Sequence, residues 1–303
     1  MEAGVCATIV VHRPDLGLLG RAVAAIAPQV DELVLFDNGG DGALEPALRE
    51  LARAHRCTLL RSPANVGLAA GFNRGIAHAR EVGHGFVLLL DQDSVPAPDM
   101  VAVLQRACTT LSASARVGAV GPRFKDPRCR LPAPFVRIGF PFNQKMTGAA
   151  GEHVDCDFLI SSGCLIPMRV LDEVGDMDES LFIDNVDLDW SFRARHAGFR
   201  LFGICDAGMQ HSIGDRVLPS RWRAAGVLVH GPTRLYYMMR NRVLLYRRAH
   251  VPRIWVAQDI PRLCGKFLRM STIPPRLRNS SAMLEGLRDG LSGRSGPRGG
   301  GAA

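Results

Sequence analysis

Along the first ninety residues, short apolar runs alternate with longer segments whose apolar positions recur at helical spacing. Val5–Val11, Glu32–Phe36, Cys57–Arg61 and Phe86–Leu90 read as strands. Leu16–Ala27 (closed by Pro28), Leu44–Ala54 and Leu68–Val82 read as the helices between them. Near-continuous apolar runs are what strands covered on both faces show. Strands separated by helices of about a dozen residues make βαβ units and a parallel sheet. The ends of the first, second and fourth strands, near Thr8–His12, Asp37 and Asp91, then gather along one sheet edge. Open α/β sheets bind their ligands at that edge.

After Pro96 the pattern weakens. Val117–Pro122 reads as a further strand, and 123–152, rich in Pro, Gly and Arg, as a long excursion of the kind that serves as a lid or acceptor loop. Order returns over Asp157–Met168, and a short helix carries Val170 and Leu171. Asp184–Ala197 reads as a helix stopped by Gly198, and Phe199–Ile204 as a strand. Residues 232–270 interleave Arg with Leu, Tyr, Trp and Met and read as basic amphipathic helix. The Gly-, Arg- and Ser-rich end, 291–303, reads as disordered.

The 303 residues, 47% hydrophobic, suffice for one large α/β domain and an appendage. No run approaches the roughly 18 apolar residues of a membrane-spanning helix. Acidic Glu2 and the brief apolar run after it do not make a secretory signal. Eight scattered cysteines with no Cys-x-x-Cys pair, Cys6, Cys156 and Cys164 among them, read as reduced core thiols of a cytosolic protein. The net charge of +8 is uneven. From Arg221 onward 16 Lys and Arg face 3 Asp and Glu, a net +13, while the preceding residues carry 21 and 26, a net −5. The chain divides accordingly into a body at 1–220, a basic helical region at 221–290 and the tail. No RNA- or DNA-binding motif accompanies the basic charge, so nucleic acid is not an expected partner. Two readings fit it: a helix lying on anionic membrane, or one packed back on the body with a solvated Arg face.

Candidate chemistry sits at two carboxylate clusters. The strand Phe86–Leu90 runs into Asp91-Gln92-Asp93. Two carboxylates at a strand exit suit a divalent cation that itself holds phosphates, and the same residues are good turn formers. The second cluster is Asp184, Asp187 and Asp189, followed by Trp190. In a helix beginning near Asn185, Asp187 and Trp190 share a face, an arrangement that can bind a sugar and deprotonate its hydroxyl. Asp187 in a first turn also suits the helix dipole, and Asp189 is spaced to pair with Arg193.

These residues resemble the family 2 glycosyltransferases of the GT-A fold, most closely bacterial rhamnosyltransferases that use dTDP-L-rhamnose. The likeness spans roughly residues 4–250, and its parts come in the family's order. Thr8-Ile9-Val10-Val11-His12 is similar to the opening strand, and Asp37-Asn38-Gly39 to the motif that holds the nucleoside. Asn65-Val66-Gly67-Leu68-Ala69-Ala70-Gly71-Phe72-Asn73-Arg74-Gly75 matches the Asn- and Gly-rich signature. Asp91-Gln92-Asp93 resembles the metal motif, Phe182–Trp190 with Arg193 and Arg195 the catalytic helix, and His211-Ser212-Ile213-Gly214 the segment bearing a second metal ligand.

The resemblance implies an α/β GT-A nucleotide-sugar-binding domain with a mostly parallel mixed sheet, plus a basic C-terminal helical extension. It implies a divalent metal, Mg²⁺ or Mn²⁺, on Asp93 and His211, with Asp91 orienting the ribose, a metal-bound water or Asp93 itself. Asp187 takes the position of the general base. Thr8, Asp37, Asn38, Asn65, Gly67, Asn73, Gly75, Asp189 and Trp190 join the substrate-binding set, and the helix after Gly67 turns its positive end to the diphosphate. The implied reaction is an inverting transfer to a saccharide acceptor, usually lipid-linked, at the inner face of the cytoplasmic membrane during surface-polysaccharide synthesis. Another donor such as UDP-galactofuranose, or a non-catalytic nucleotide-sugar-binding role, stays open. A nucleotidyltransferase would carry a Gly- and Lys-rich loop after the first strand, where this chain has His12-Arg13-Pro14-Asp15. The chain departs from the family twice. Leu218 precedes Arg221-Trp222 where processive relatives have Gln, so transfer of one or a few sugars is expected. Asp189 stands where many relatives have Glu.

Overall fold

The computed structural model describes residues 3–39, 42–129, 131–212, 216–218 and 227–299. The first half is a run of βα units. β1 (Val5–Val11), β2 (Glu32–Asn38), β3 (Thr58–Ser62) and β4 (Phe86–Asp91) are joined through α1 (Leu16–Ile26), α2 (Glu45–His55) and α3 (Leu68–Val82). After β5 (Val95–Pro96) come α4 (Met100–Ser112), β6 (Val117–Lys125), the hairpin strands β7 (Phe135–Arg137) and β8 (Gln144–Met146), and β9 (His153–Cys156). β10 (Cys164–Pro167), α5 (Met168–Val174), α6 (Val186–His196) and β11 (Arg200–Gln210) complete the body, followed by the paired strands β12 (Arg216–Leu218) and β13 (Val227–Val229). α7 (Pro232–Tyr246), α8 (Arg253–Thr272) and α9 (Arg276–Leu291) form the C-terminal region.

The main sheet runs β3-β2-β1-β4-β10-β6-β11-β5, with β9 beside β11. The first four strands pair in parallel. β10 lies antiparallel between β4 and β6, so the sheet is mixed. Alternate residues of β1 feed two apolar layers. Val5, Ala7, Ile9 and Val11 pack with α1 and α4, whereas Cys6 and Val10 pack with α3. In register, Val11 sits opposite Asp37 and Val10 opposite Asp91, which brings the three strand ends to one edge.

Several expectations are corrected. The stretch after Pro96 contains α4, whose buried Met100, Val101, Leu104, Ala107 and Cys108 follow helical spacing. The excursion at 123–152 carries the β7–β8 hairpin. The basic segment at 232–270 is two helices, parted at the Arg247–Pro252 connection. Its first part does not lie on a membrane: α7 is buried along most of its length, with Arg240 fully enclosed. α9, unforeseen, covers it. A Cβ at Gly286 would stand 2.3 Å from the Tyr236 carbonyl oxygen, and one at Gly290 2.8 Å from that of Arg240, so these glycines set the close helix contact. The tail read as disordered makes contacts with the body as far as Arg298. The Gly296 N–H donates to the Ser180 carbonyl at 2.7 Å, Arg240 donates to the Gly296 carbonyl, and Arg298 pairs with Glu285. Gly40, Ile213-Gly214, Arg221-Trp222 and residues 300–303 lie outside the described residues, as does the 220/221 boundary.

Candidate active site

The strand ends line a cavity of about 850 Å³ whose walls include His12, Asn38, Asn65, Gly67, Asp91, Asp93, Asp187 and His211. Side-chain hydrogen bonds knit the rim. The His12 N–H donates to Gln92 at 2.8 Å, tying β1 to the turn after β4. Asn38 donates to the Gly67 carbonyl and accepts from the Val66 N–H, and Asn65 accepts from the Gly67 N–H. Gly67 has φ +92°, and a Cβ there would meet the Phe182 carbonyl oxygen at 2.6 Å. The Leu68 and Ala69 N–H groups donate to that carbonyl at 2.7 and 3.3 Å. The helix end assigned to the donor diphosphate is thus engaged by a protein carbonyl.

Asp91, Asp93 and His211 each place one ligand atom within 4.8 Å of the others. His211 Nδ1 lies 3.5 Å from Asp93 Oδ1, and Nε2 lies 3.7 Å from Asp91 Oδ2. Two carboxylates and an imidazole suit Mg²⁺ or Mn²⁺. These side chains are also oriented from behind, as metal ligands usually are. Ser94 Oγ is 2.9 Å from His211 Nδ1 and 2.5 Å from Ser162 Oγ, which accepts from the Asp91 N–H. Burial raises the Asp91 carboxyl, and the Asp93 charge adds to the rise. Burial works against an imidazolium at His211, yet the hydrogen bond to Asp93 and the two carboxylate charges outweigh it and raise its basicity. A cation at this point would remove the carboxylate repulsion.

Asp187 opens α6 and accepts the Leu188 N–H at 2.8 Å. Burial, reinforced by the Asp91 and Asp184 charges, lifts its carboxyl from 3.8 to about 6. That places it near neutrality, where a general base works best. The segment before it is strained: Phe182, Asp184 and Asn185 all have φ between +63° and +64°, a region that non-glycine residues occupy only when their surroundings impose it. α7 supplies that support. The Asn241 side-chain amide donates to the carbonyls of Leu181, Ile183 and Asp184 at 2.8 to 2.9 Å. Arg240 donates to the carbonyls of Ser180 and Leu181, and Arg234 pairs with Asp184 at 2.6 Å. These α7 residues read as mere basic helix in the sequence; no local pattern marks Asn241 as a clamp sixty residues from what it holds.

Other residues assigned by resemblance stand away from the cavity. Thr8 is fully buried against α3, where a Cβ at Gly75 would fall 2.0 Å from its hydroxyl oxygen, so both belong to a close helix–sheet contact. Asn73 clasps Met177 through both backbone groups and reaches Glu179. Asp37 is buried and bonded to Arg61. Trp190 is buried, its ring N–H donating to the Gly175 carbonyl. Asp189 is wholly enclosed and meets Arg193, Arg248 and His250. Burial alone would raise its carboxyl, but the His250 hydrogen bond and the two guanidinium charges hold it at about 2. Asp189 is therefore a structural hub, joining α6 to the segment after α7.

The mixed, mostly parallel sheet with helices on both faces, its strand ends opening on this cavity, is an α/β GT-A-like fold. Residues 8–175 match the family model described as glycosyl transferase family 2, and the chain belongs to that family. It is 29% identical over 267 residues to the dTDP-rhamnosyl transferase RfbF of Shigella flexneri, covering 86% of each chain. It is 29% identical over 257 residues to the galactofuranosyltransferase GlfT1 of Mycobacterium tuberculosis, covering 80% of this chain and 82% of that one. Among solved structures, the mannosyltransferase PcManGT of Pyrobaculum calidifontis, in complex with GDP-Man and Mn²⁺, superposes with a TM-score of 0.57 at 14% identity, over 96% of this chain and 88% of its own.

Proposed function

We propose that the chain is an inverting rhamnosyltransferase that moves L-rhamnose from dTDP-L-rhamnose to a saccharide acceptor. The observation that carries this reading is the position of Asp187, which lines both the cavity holding the Asp91, Asp93 and His211 cluster and a second cavity opening beside it. Asp187 takes the proton of the acceptor hydroxyl as the new carbon–oxygen bond forms. The bond from the sugar carbon to the diphosphate breaks, and the nucleoside diphosphate leaves with the electron pair. Asp91, Asp93 and His211 would hold a divalent metal, which supplies Lewis-acid neutralisation of that diphosphate. The other carboxylate at this end, Asp184, is engaged by Arg234, which leaves Asp187 as the base and favours single displacement.

The donor is inferred from the likeness to RfbF. The likeness to GlfT1, of equal identity, favours a second reading in which UDP-galactofuranose is the donor. Thermal shift across a panel of nucleotide-sugars, with and without Mn²⁺, separates them. Metal-dependent stabilisation by dTDP-L-rhamnose is expected; stabilisation by a UDP-sugar alone would overturn the donor. NMR assignment of a retained anomeric configuration would refute inversion.

We further propose work at the cytoplasmic face of the membrane on a lipid-linked acceptor. Among the described residues no helix is long and apolar enough to cross a membrane. Yet α9 exposes Leu277, Leu284 and Leu291 at 87%, 57% and 63%, seven residues apart and so on one face, near Arg278 and Arg288. Basic residues flanking an apolar stripe suit an anionic lipid surface. Co-sedimentation with vesicles rich in phosphatidylglycerol, lost in Leu277→Glu/Leu284→Glu, is the expected result. Equal recovery of both proteins would refute membrane contact.

A further inference from the structure

α7 begins at Pro232, behind Gly231, which has no side chain to cap it, and its first turn carries no acidic residue. A helix start of this kind is electropositive. Arg234 adds a guanidinium to that turn and lines the donor cavity. Its Nη2 and Nε donate to Asp184 at 2.6 and 3.3 Å. Asp184 precedes Asp187 by three residues, so Arg234 is fastened at the Asp187 end of the cavity. Its charge is also felt at the strand ends. Burial is the main cause of the raised Asp91 carboxyl, and the Arg234 charge acts against it, so the guanidinium lies within electrostatic range of the strand-end cluster. Among the described residues one further arginine lines this cavity, Arg13, and it is exposed.

The walls are otherwise rich in carboxylates: Asp15, Asp91, Asp93, Asp184 and Asp187. A divalent cation held by Asp91 and Asp93 has its charge matched by theirs. A leaving diphosphate gains negative charge as its bond to the sugar breaks, and fixed positive charge aimed at that point stabilises it. A guanidinium suits the task. It is always charged, and its five N–H donors form a fork that fits phosphate oxygens while a carboxylate partner is kept.

Taking the glycosyl transfer proposed above, we propose that Arg234 is a donor-binding residue: its guanidinium holds the phosphate that bears the sugar, while Asp184 keeps it aimed. The sugar lies beside Asp187 in that reaction. Arg234 is fastened to the loop before Asp187, so the phosphate nearest the sugar is the one within its reach. The cation comes from α7, beyond the residues that match the family model. The C-terminal region thus completes the donor site as well as bracing that loop.

The test uses the full chain with Mn²⁺. Calorimetry measures the diphosphates dTDP and UDP on the parent first, then the monophosphates dTMP and UMP. Arg234→Gln is expected to weaken the diphosphate by roughly tenfold or more, the usual worth of a charge-assisted hydrogen bond, and to leave the matching monophosphate nearly unchanged. Arg234→Lys keeps the charge and loses the fork, so its diphosphate affinity is expected to lie between; it carries the same comparison if the Gln variant does not fold. Asp184→Asn breaks the ion pair and spares the guanidinium, and is expected to keep the preference for diphosphate. Equal losses for monophosphate and diphosphate overturn the assignment. So does a loss in Asp184→Asn that matches Arg234→Gln, since either result marks a structural ion pair alone. A Lys variant as tight as the parent overturns the forked contact. Failure of the parent to bind either diphosphate overturns the donor reading instead, and is seen before any variant is made.

Discussion

Replacing Asp187 by Asn separates catalysis from stability, because the two respond in opposite directions. Asn keeps the size of the side chain and an oxygen that accepts from the Leu188 N–H. It removes a charge that burial and the Asp91 and Asp184 carboxylates disfavour. A carboxyl raised in the fold leaves the unfolded chain to ionise first, so folded stability falls as pH rises from the ordinary value to the folded one. For Asp187 that window runs from 3.8 to about 6. At about 1.4 kcal/mol per unit, the ionised side chain costs about 3 kcal/mol above the window. In EDTA, so that no cation offsets the charges, Asp187→Asn should be more stable than the parent at pH 8 by that amount, or roughly 5 °C in Tm. The gap should close as pH falls toward 4. With metal and donor present, transfer should fall by roughly 10² to 10⁴-fold, the usual worth of a general base. The parent's transfer rate should itself decline as pH falls and Asp187 takes up a proton, at a pH no higher than about 6, since bound metal offsets the Asp91 charge that helps to raise it. Thermal unfolding across pH, paired with initial-rate assays, reads both effects. An Asn variant that keeps full activity, or shows no pH-dependent gain in Tm, refutes the assignment of Asp187.

Other outcomes follow from the same structure. Asp189→Ala leaves Arg193, Arg248 and His250 around an emptied buried site, and urea unfolding should show a loss of about 3–5 kcal/mol; a loss under about 1 kcal/mol would contradict the hub. The Asp189 carboxyl is held at about 2, so its contribution is present above the ordinary carboxylate value and lost as pH falls toward 2, which acid titration of stability should show. Ser94→Ala should weaken Mn²⁺ binding by roughly 10 to 100-fold in calorimetry, through His211 and Ser162 rather than by removing a ligand. Asn241→Leu strands three carbonyls of the strained loop and should speed amide exchange over 181–185 while lowering kcat more than donor affinity; unchanged exchange would refute the clamp.

Much of the frame is legible because it rests on local patterning. The apolar runs Val5–Val11 and Leu68–Val82 coincide with β1 and α3, since each is bounded by turn residues and filled at one period. The strand exit at Asp91 follows from the length of the run before it. Thr8, Asn73 and Gly75 are found in structural contacts and not on the cavity walls, because a signature keeps residues for close packing as readily as for binding, and one sequence cannot separate the two. The Gly75–Thr8 contact becomes visible only once α3 lies on β1. α7 eluded the pattern for a related reason. Its arginines read as solvent charge, yet Arg240 finds carbonyls from Ser180, Leu181 and Gly296, segments more than fifty residues distant. Helical periodicity carries no mark of such partners.

The fastening of the 181–185 loop by α7 and Gly296 gives the site an order of assembly. A ribosome releases the region matching the family model long before it releases α7 and the segment that closes over it. Until then Arg240, Asn241 and Gly296 are not yet there to hold the left-handed turn before Asp187, the residue proposed above as the base. If Asp187 is the base, transfer is expected only once the chain through Gly296 has emerged.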